Sequence, residues 1–110
     1  MNTELLRLIT TEEVDTYHRD GVLLLKGMFD KDWIELLNKG LDSNCKSPTD
    51  RSRIWNKDAL GHTMFYDTLA WREIAEYKKF IFNSPAAKIC GQLMNTKTIN
   101  FFFDAIFVRS

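Results

Sequence analysis

The sequence predicts an α+β fold, in which helices cover a small sheet. Four segments carry apolar residues at the spacing of amphipathic helices. Two others, Val22–Lys26 and Thr98–Val108, are rich in the apolar, β-branched or aromatic residues that favour strands. The 110 residues are 45% hydrophobic and 27% charged, which suits a globular core. A chain of this length holds one domain at most.

The charge pattern excludes several classes of partner. The chain has 15 basic and 15 acidic side chains, a net charge of +0 and no long block of one sign, so we expect no nucleic-acid partner. No apolar run approaches membrane-spanning length, and MNTELLRLIT is too short and too weakly apolar for a signal peptide. We therefore expect no membrane partner and a cytoplasmic location.

Cys45 and Cys90 should be free thiols in that compartment, with Cys90 in the core.

The stretch from Thr10 to Phe29 predicts a helix, a turn and a buried strand. Thr10 and Glu13 fit a capping box at the start of a helix over Thr11–Arg19, and residues 1–9 should be a loose lead-in. Gly21 ends this helix, because glycine adopts the left-handed conformation at low cost. The unbroken apolar run in Val22–Lys26 then predicts a strand covered on both faces.

A second helix begins after Asp30, a favourable N-cap residue. Gly40 and the polar run 42–50 predict its end and the longest loop of the chain. Its inward stripe consists of Trp33, Ile34, Leu37 and Leu41.

The segment Arg51–Asp67 mixes basic residues with aromatic ones. Such interleaving can form an anion site or a platform for single-stranded nucleic acid. The basic residues Arg51, Arg53 and Lys57 are few and are balanced by aspartates, so we favour a folded-back loop that closes over a cavity. His62 in this loop fits a surface histidine better than a catalyst.

The last third of the chain predicts two helices and a strand. The third helix covers Thr68–Phe82, and Ser84-Pro85 opens a fourth that ends near Asn95. The strand Thr98–Val108 carries Asn100 and Asp104 on one face, because side chains alternate with a period of two. Its composition predicts a central strand, whose natural partners are not visible in the sequence. The other face carries Phe101, Phe103, Ala105, Phe107 and Arg109.

The order of these parts resembles the N-terminal half of the phytanoyl-CoA dioxygenase family, from Thr10 onward. The matching pieces are RDGVLLLKGMFD, the aromatic loop with LAWREI, NSPAAKICGQLM and FFFDAIFVRS. The resemblance implies a double-stranded β-helix, or jelly-roll, with helices packed outside one sheet. This chain would hold the helices and the first strands, so the barrel would be incomplete in it.

The family implies an iron(II)- and 2-oxoglutarate-dependent oxygenase that hydroxylates a small organic substrate. Its iron is held by a His-x-Asp pair and a distant histidine, a facial triad with open positions. The pair follows the strand that resembles FFFDAIFVRS, beyond which this sequence does not continue. His18-Arg19-Asp20 spells His-x-Asp, but it lies in the helix before the first strand, and no third ligand is evident.

We therefore expect a truncated product or a sequence fragment that lacks the metal ligands, binds neither iron nor 2-oxoglutarate alone and is inactive alone. The resemblance also implies a pocket wall. It places Ala105 close to 2-oxoglutarate, with Phe103, Phe107 and Arg109 on the same inward face. Plain barrel packing is an equal explanation for the two phenylalanines. Tyr66 matches a loop position that reaches toward the co-substrate in relatives.

Two other interpretations remain open. The chain can be a complete, small, non-catalytic α+β module that binds a partner by strand addition to its last strand. It can also be a non-catalytic relative in which the helices serve as a scaffold. The sequence gives neither the substrate nor the oligomeric state.

Overall fold

The structure, a computed structural model, describes residues 1–55 and 58–110. It confirms the α+β fold: four α-helices lie with an antiparallel sheet of three strands among these residues. In chain order the elements are α1 (Thr11–Asp20), α2 (Lys31–Lys46), β1 (Arg53–Trp55), β2 (Met64–Thr68), a 3₁₀ turn (Ala70–Arg72), α3 (Ala75–Asn83), α4 (Ala86–Met94) and β3 (Ala105–Arg109).

The start of α1 confirms the predicted capping box. The Glu13 amide donates to the Thr10 hydroxyl at 3.1 Å, and the Thr10 amide donates to the Glu13 carboxylate at 3.0 Å. Gly21 ends the helix with φ +74°, the left-handed conformation expected of glycine. Residues 1–9, however, are not a loose lead-in. The indole N–H of Trp33 donates to the Asn2 carbonyl at 2.7 Å, so the N-terminal segment is fastened to α2.

The strand predicted at Val22–Lys26 is wrong. This segment is extended but forms no ladder, and its exposure alternates: Val22 and Leu24 are 70% and 75% exposed. Leu23 and Leu25 point the other way and pack on a cluster around Met28, Ile89 and Leu93. An apolar run forms a strand only where a neighbouring strand is available to pair with it. Here the segment buries one face against the cluster and pairs with no strand among the described residues.

Helix α2 begins as predicted and ends later. The Trp33 amide donates to the Asp30 carboxylate at 3.2 Å, but the helix continues through Gly40 to Lys46. A glycine fits at position 40 because α2 and α3 approach closely there: a Cβ at residue 40 would lie 2.9 Å from the Glu76 Cβ. Within the predicted stripe Trp33 is buried, whereas Ile34 is 51% exposed and was wrongly placed inside.

The segment Arg51–Asp67, predicted as a loop, contains a hairpin. β1 pairs antiparallel with β2, with Arg53 opposite Tyr66. β2 pairs antiparallel with β3, with Tyr66 opposite Phe107, so β2 is the central strand and β3 an edge strand of the described sheet. The prediction that β3 is central is therefore not met within residues 1–55 and 58–110. Lys57, named among the basic residues of this segment, lies outside the described residues.

The boundaries around β2 and β3 also differ from the prediction. The helix expected over Thr68–Phe82 is divided, because Thr68 ends β2 and Leu69 takes a left-handed φ of 53° before the 3₁₀ turn. The strand expected over Thr98–Val108 is shorter and later. Ala105 pairs with Thr68, the last residue of β2, and a single further hydrogen bond, from the Leu69 amide to the Asp104 carbonyl, lies beyond this pair.

Helix α4 forms as predicted, but Pro85 takes the N-cap position and Ser84 lies one residue before it, its hydroxyl accepting from the Ala86 amide at 3.3 Å. Its buried residues Ile89 and Leu93 join one hydrophobic cluster, and Tyr77 of α3 belongs to a second one. Cys90 faces outward, so its assignment to the core was wrong, although Cys45 and Cys90 are both free thiols as predicted.

Candidate functional site

The two faces of the sheet are different in character. Ile106 of β3 packs on the cluster of Ala70, Ile74 and Tyr77, so its side of the sheet faces the helices. Side chains alternate along a strand, so the neighbours Ala105 and Phe107 lie on the opposite side. Tyr66 pairs with Phe107 and shares that side. We call this side the open face; it includes Trp55, Tyr66, Ala105, Phe107 and Arg109, and the register places Arg53, Met64 and Thr68 on it as well.

Three aromatic rings cross the open face as a row. The centroids of Trp55 and Tyr66 are 5.6 Å apart, and those of Tyr66 and Phe107 are 4.8 Å apart. Trp55 and Phe107 are 49% and 64% exposed despite their size. The row is therefore an apolar surface that the described residues leave uncovered, as expected of a binding or packing face.

Four of the five residues that the family resemblance implies lie on this face: Tyr66, Ala105, Phe107 and Arg109. Arg109 pairs with Met64 at the far end of β3 and is exposed. Phe103 is not brought to the face by the sheet, because it precedes β3. Its ring contacts that of Phe102 at 5.0 Å instead, and it is 49% exposed.

The outer edge of β3 carries free backbone groups. The Leu69 amide donates to the Asp104 carbonyl, and the Ser110 amide donates to the Thr63 carbonyl. In an antiparallel ladder hydrogen-bonded residues alternate, so every second residue between 104 and 110 points its N–H and C=O away from β2. Ala105, Phe107 and Arg109 are those residues. Their backbones face the edge that is unpaired among the described residues.

A buried polar network lies behind the open face. Asp67 of β2 is fully buried, and its carboxylate accepts from the Asn44 side-chain amide at 2.8 Å and the Thr49 amide at 2.9 Å. The Thr49 hydroxyl and the Thr68 amide also donate to it. Burial raises the pKa of Asp67, but these donors outweigh burial and lower it below its ordinary value. Asp67 is thus a satisfied buried anion that ties α2 to β2.

Tyr77 extends this network into α3. Its hydroxyl donates to the Asn44 side-chain oxygen at 3.2 Å, so Asn44 bridges Tyr77 and Asp67. Burial, assisted by nearby negative groups, raises the pKa of Tyr77 to about 12. No local sequence pattern indicates this network. Asn44 falls near the α2 stripe, but its partners lie 23 and 33 residues away.

An apolar groove of about 540 Å³ separates β3 from α2 and α3. Asp104 lies at this groove, and both of its carboxyl oxygens are buried without a hydrogen-bond partner among the described residues. Burial raises the pKa of Asp104 more than the neighbouring Trp71 amide and the Arg51 charge lower it. The groove is lined by Leu37, Asn38, Leu41, Tyr77, Phe80, Ile81, Asp104, Ala105, Ile106, Phe107 and Val108.

The described residues do not fit the family's iron site. Across residues 1–55 and 58–110, no three His, Cys, Asp or Glu side chains are placed to hold a metal. Asp20 of the His18-Arg19-Asp20 run is engaged by the Arg19 guanidinium at 2.9 Å. The His62 Nδ1 lies 3.0 Å from an Asp58 carboxylate oxygen in an exposed turn. The two histidines therefore serve as surface residues in this structure.

Comparisons with family models, curated proteins and solved structures found no match to this chain. In the part of the chain that the structure describes, no helix combines the length and the apolar character that crossing a membrane requires.

Proposed function

We propose that this chain forms the helical layer and the first sheet strands of an iron(II)- and 2-oxoglutarate-dependent oxygenase domain of the phytanoyl-CoA dioxygenase type. The finished sheet would be one half of a jelly-roll. The observation that supports this most is the common face of Tyr66, Ala105, Phe107 and Arg109, opposite the helices. A barrel of this kind needs helices outside one sheet and a pocket on the other side of that sheet.

The edge of β3 gives further support. Outward N–H and C=O groups at Ala105, Phe107 and Arg109 can accept another strand. An exposed edge beside an exposed aromatic face is a liability that native sheets normally cover. In the proposed domain the next strands of the jelly-roll pair with this edge and close over the open face.

The open face has the chemistry of a wall for a dicarboxylate. The Arg109 guanidinium and the Tyr66 hydroxyl are donors suited to a carboxylate, and arginine binds it with paired hydrogen bonds. The small side chain of Ala105 leaves room beside them, and Phe107 adds an exposed aromatic ring to the same face. We propose that this chain contributes a binding wall for the co-substrate and a small organic substrate, and no catalytic step.

Calorimetric titration of the 110-residue chain with iron(II) and 2-oxoglutarate tests the absence of a metal site. We expect no stoichiometric binding of either, whereas stoichiometric binding of iron would overturn this part of the proposal. The wall is tested in a chain extended to include metal ligands. There, Arg109→Ala should weaken 2-oxoglutarate binding about tenfold or more, the cost of one charged hydrogen bond, while the exposed control Arg72→Ala should not. An unchanged affinity in Tyr66→Phe would remove Tyr66 from the wall.

A second function rests on the same free edge. The chain can be a non-catalytic α+β interaction module that takes an extended segment of a partner protein alongside β3. In that case the backbone groups of Ala105, Phe107 and Arg109 supply affinity, and the side chains of the open face supply selectivity. This alternative requires a chain that is soluble and monomeric without further strands.

A further inference from the structure

Asp104 directly precedes β3, and its backbone and its side chain lie in different environments. Its backbone carbonyl accepts from the Leu69 amide at 3.1 Å, a hydrogen bond that continues the β2–β3 ladder beyond Ala105. Its carboxyl oxygens are buried at the groove and have no hydrogen-bond partner among the described residues. A buried polar group without a partner costs free energy, and a charged one costs more than a neutral one.

Burial disfavours the charge of Asp104 more than the neighbouring Trp71 amide and the Arg51 charge favour it. Asp67 of β2 is itself a buried anion, and Tyr77 of α3 is a neutral phenol whose pKa Asp104 helps to raise. Arg51 is the cation that acts on Asp104, but its guanidinium is committed to the Thr68 carbonyl at 2.8 Å and to Glu73 at 3.2 Å. The buried carboxylate of Asp104 is therefore destabilised, and its free energy falls when it moves into solvent.

The other groups of the packed elements act on Tyr77 rather than on Asp104. The side chains of Cys45 on α2 and Glu76 on α3 raise the pKa of Tyr77, and neither provides a positive charge. Asn44, a neutral polar residue of α2, is already bonded to Asp67 and Tyr77. The interior near Asp104 therefore accommodates a neutral carboxyl better than an anion.

We propose that Asp104 is a pH-operated latch for β3: its neutral carboxyl stays buried and keeps the Leu69–Asp104 hydrogen bond closed, whereas its carboxylate moves to solvent and opens that end of the strand. Opening there widens the groove between β3 and the helices, because Asp104, Ala105 and Ile106 all line it. The latch concerns only the start of β3, next to Asp104. It requires neither iron nor a co-substrate.

The direction of the pH effect follows from the raised pKa. In the opened state Asp104 is solvated and titrates near its usual value of about 4. In the closed state its pKa is raised, chiefly by burial. The equilibrium constant for opening should therefore rise by up to about tenfold per pH unit between the two pKa values and level off above the higher one.

Amide hydrogen exchange at Leu69, followed by NMR from about pH 4 to about pH 8 and corrected for intrinsic exchange, tests the latch. We expect protection to fall with pH in the native chain and to be independent of pH in Asp104→Asn. The control Asp50→Asn, at an exposed position, should behave like the native chain. Parallel pH profiles in the native chain and in Asp104→Asn would overturn the proposal.

A second measurement on the native chain keeps the test decisive if a variant does not fold. The carboxyl carbon shift of Asp104 reports its titration directly. We expect a midpoint above the usual aspartate range, coincident with the loss of Leu69 protection. A midpoint in the usual range, with Leu69 protected throughout, would overturn the latch.

Discussion

Tyr66 and Phe107 lie directly opposite each other on β2 and β3, with their ring centroids 4.8 Å apart and Phe107 64% exposed. Residues directly opposite each other in a sheet form the pairs that stabilise it, and here the pair also forms the centre of the open face. Because the Phe107 ring is exposed, we expect the open face to bind apolar dyes.

The first prediction concerns that exposure. Phe107→Ser should lower the fluorescence of a bound hydrophobic dye by at least about twofold, because it removes the centre of the apolar row. The control is Leu8→Ser, at a position that is 85% exposed and outside the sheet. Equal dye binding by the two variants would show that the open face is not the main apolar surface.

Asp67 is predicted to contribute strongly to the free energy of unfolding. Asp67→Asn replaces an acceptor oxygen by a donor group that faces Thr49 and Asn44, and we expect a loss of about 3 kcal/mol in urea unfolding. Asp15→Asn, at an exposed position on α1, should change stability by less than about 0.5 kcal/mol.

The same residue gives a pH dependence. Because the pKa of folded Asp67 is lowered, its stabilisation is present above the unfolded value of about 4 and is lost as pH falls through the folded pKa. Asp67→Asn should therefore reduce acid sensitivity in this window. An unchanged acid profile would show that the network does not depend on the charge.

Tyr77 should ionise above the usual tyrosine range, because its pKa is raised to about 12. A tyrosine whose folded pKa is raised favours folding below the unfolded value of about 10, and this stabilisation is lost as pH rises toward the folded pKa. Phenolate absorbance should show a late step that is absent in Tyr77→Phe and present in Tyr17→Phe. A late step that survives in Tyr77→Phe would refute the assignment.

Gly40 is predicted to be required for the close approach of α2 and α3. A Cβ at this position would lie 3.0 Å from a ring carbon of Tyr77 and 2.9 Å from the Glu76 Cβ. Gly40→Ala should cost about 1–3 kcal/mol through overpacking, less the gain of about 1 kcal/mol in helix propensity. Ser43→Ala, on the exposed side of α2, should be neutral or stabilising. A stabilised Gly40→Ala would show that the helices can separate freely.

The sequence predicts the helices well because their signals are local. Thr10 with Glu13, Asp30 and Ser84 each contact an amide within three residues, so the motif contains its own partners. The end of α2 was missed because Gly40 is a contact with α3, which sequence periodicity does not reveal. Local signals thus predicted the starts of α1, α2 and α4 and the ends of α1 and α4, but neither the end of α2 nor the start of α3.

The strands and the candidate site depend on distant partners. Val22–Lys26 reads as a strand by composition, yet it lies on α-helical residues with one face exposed. The period of two correctly predicted that Ala105, Phe107 and Arg109 share a face, because alternation is a local property of any strand. The Asn44–Asp67–Tyr77 network was not predictable, since its members become neighbours only after β2, α2 and α3 have packed.

The most direct test of the proposed oxygenase domain is the sequence of the transcript downstream of the Ser110 codon. We predict codons that continue into a turn containing proline or glycine and then into His-x-Asp, the metal-binding pair that the family resemblance implies. A stop codon directly after Ser110, together with a soluble monomer whose β3 edge is fully protected from exchange, would contradict it.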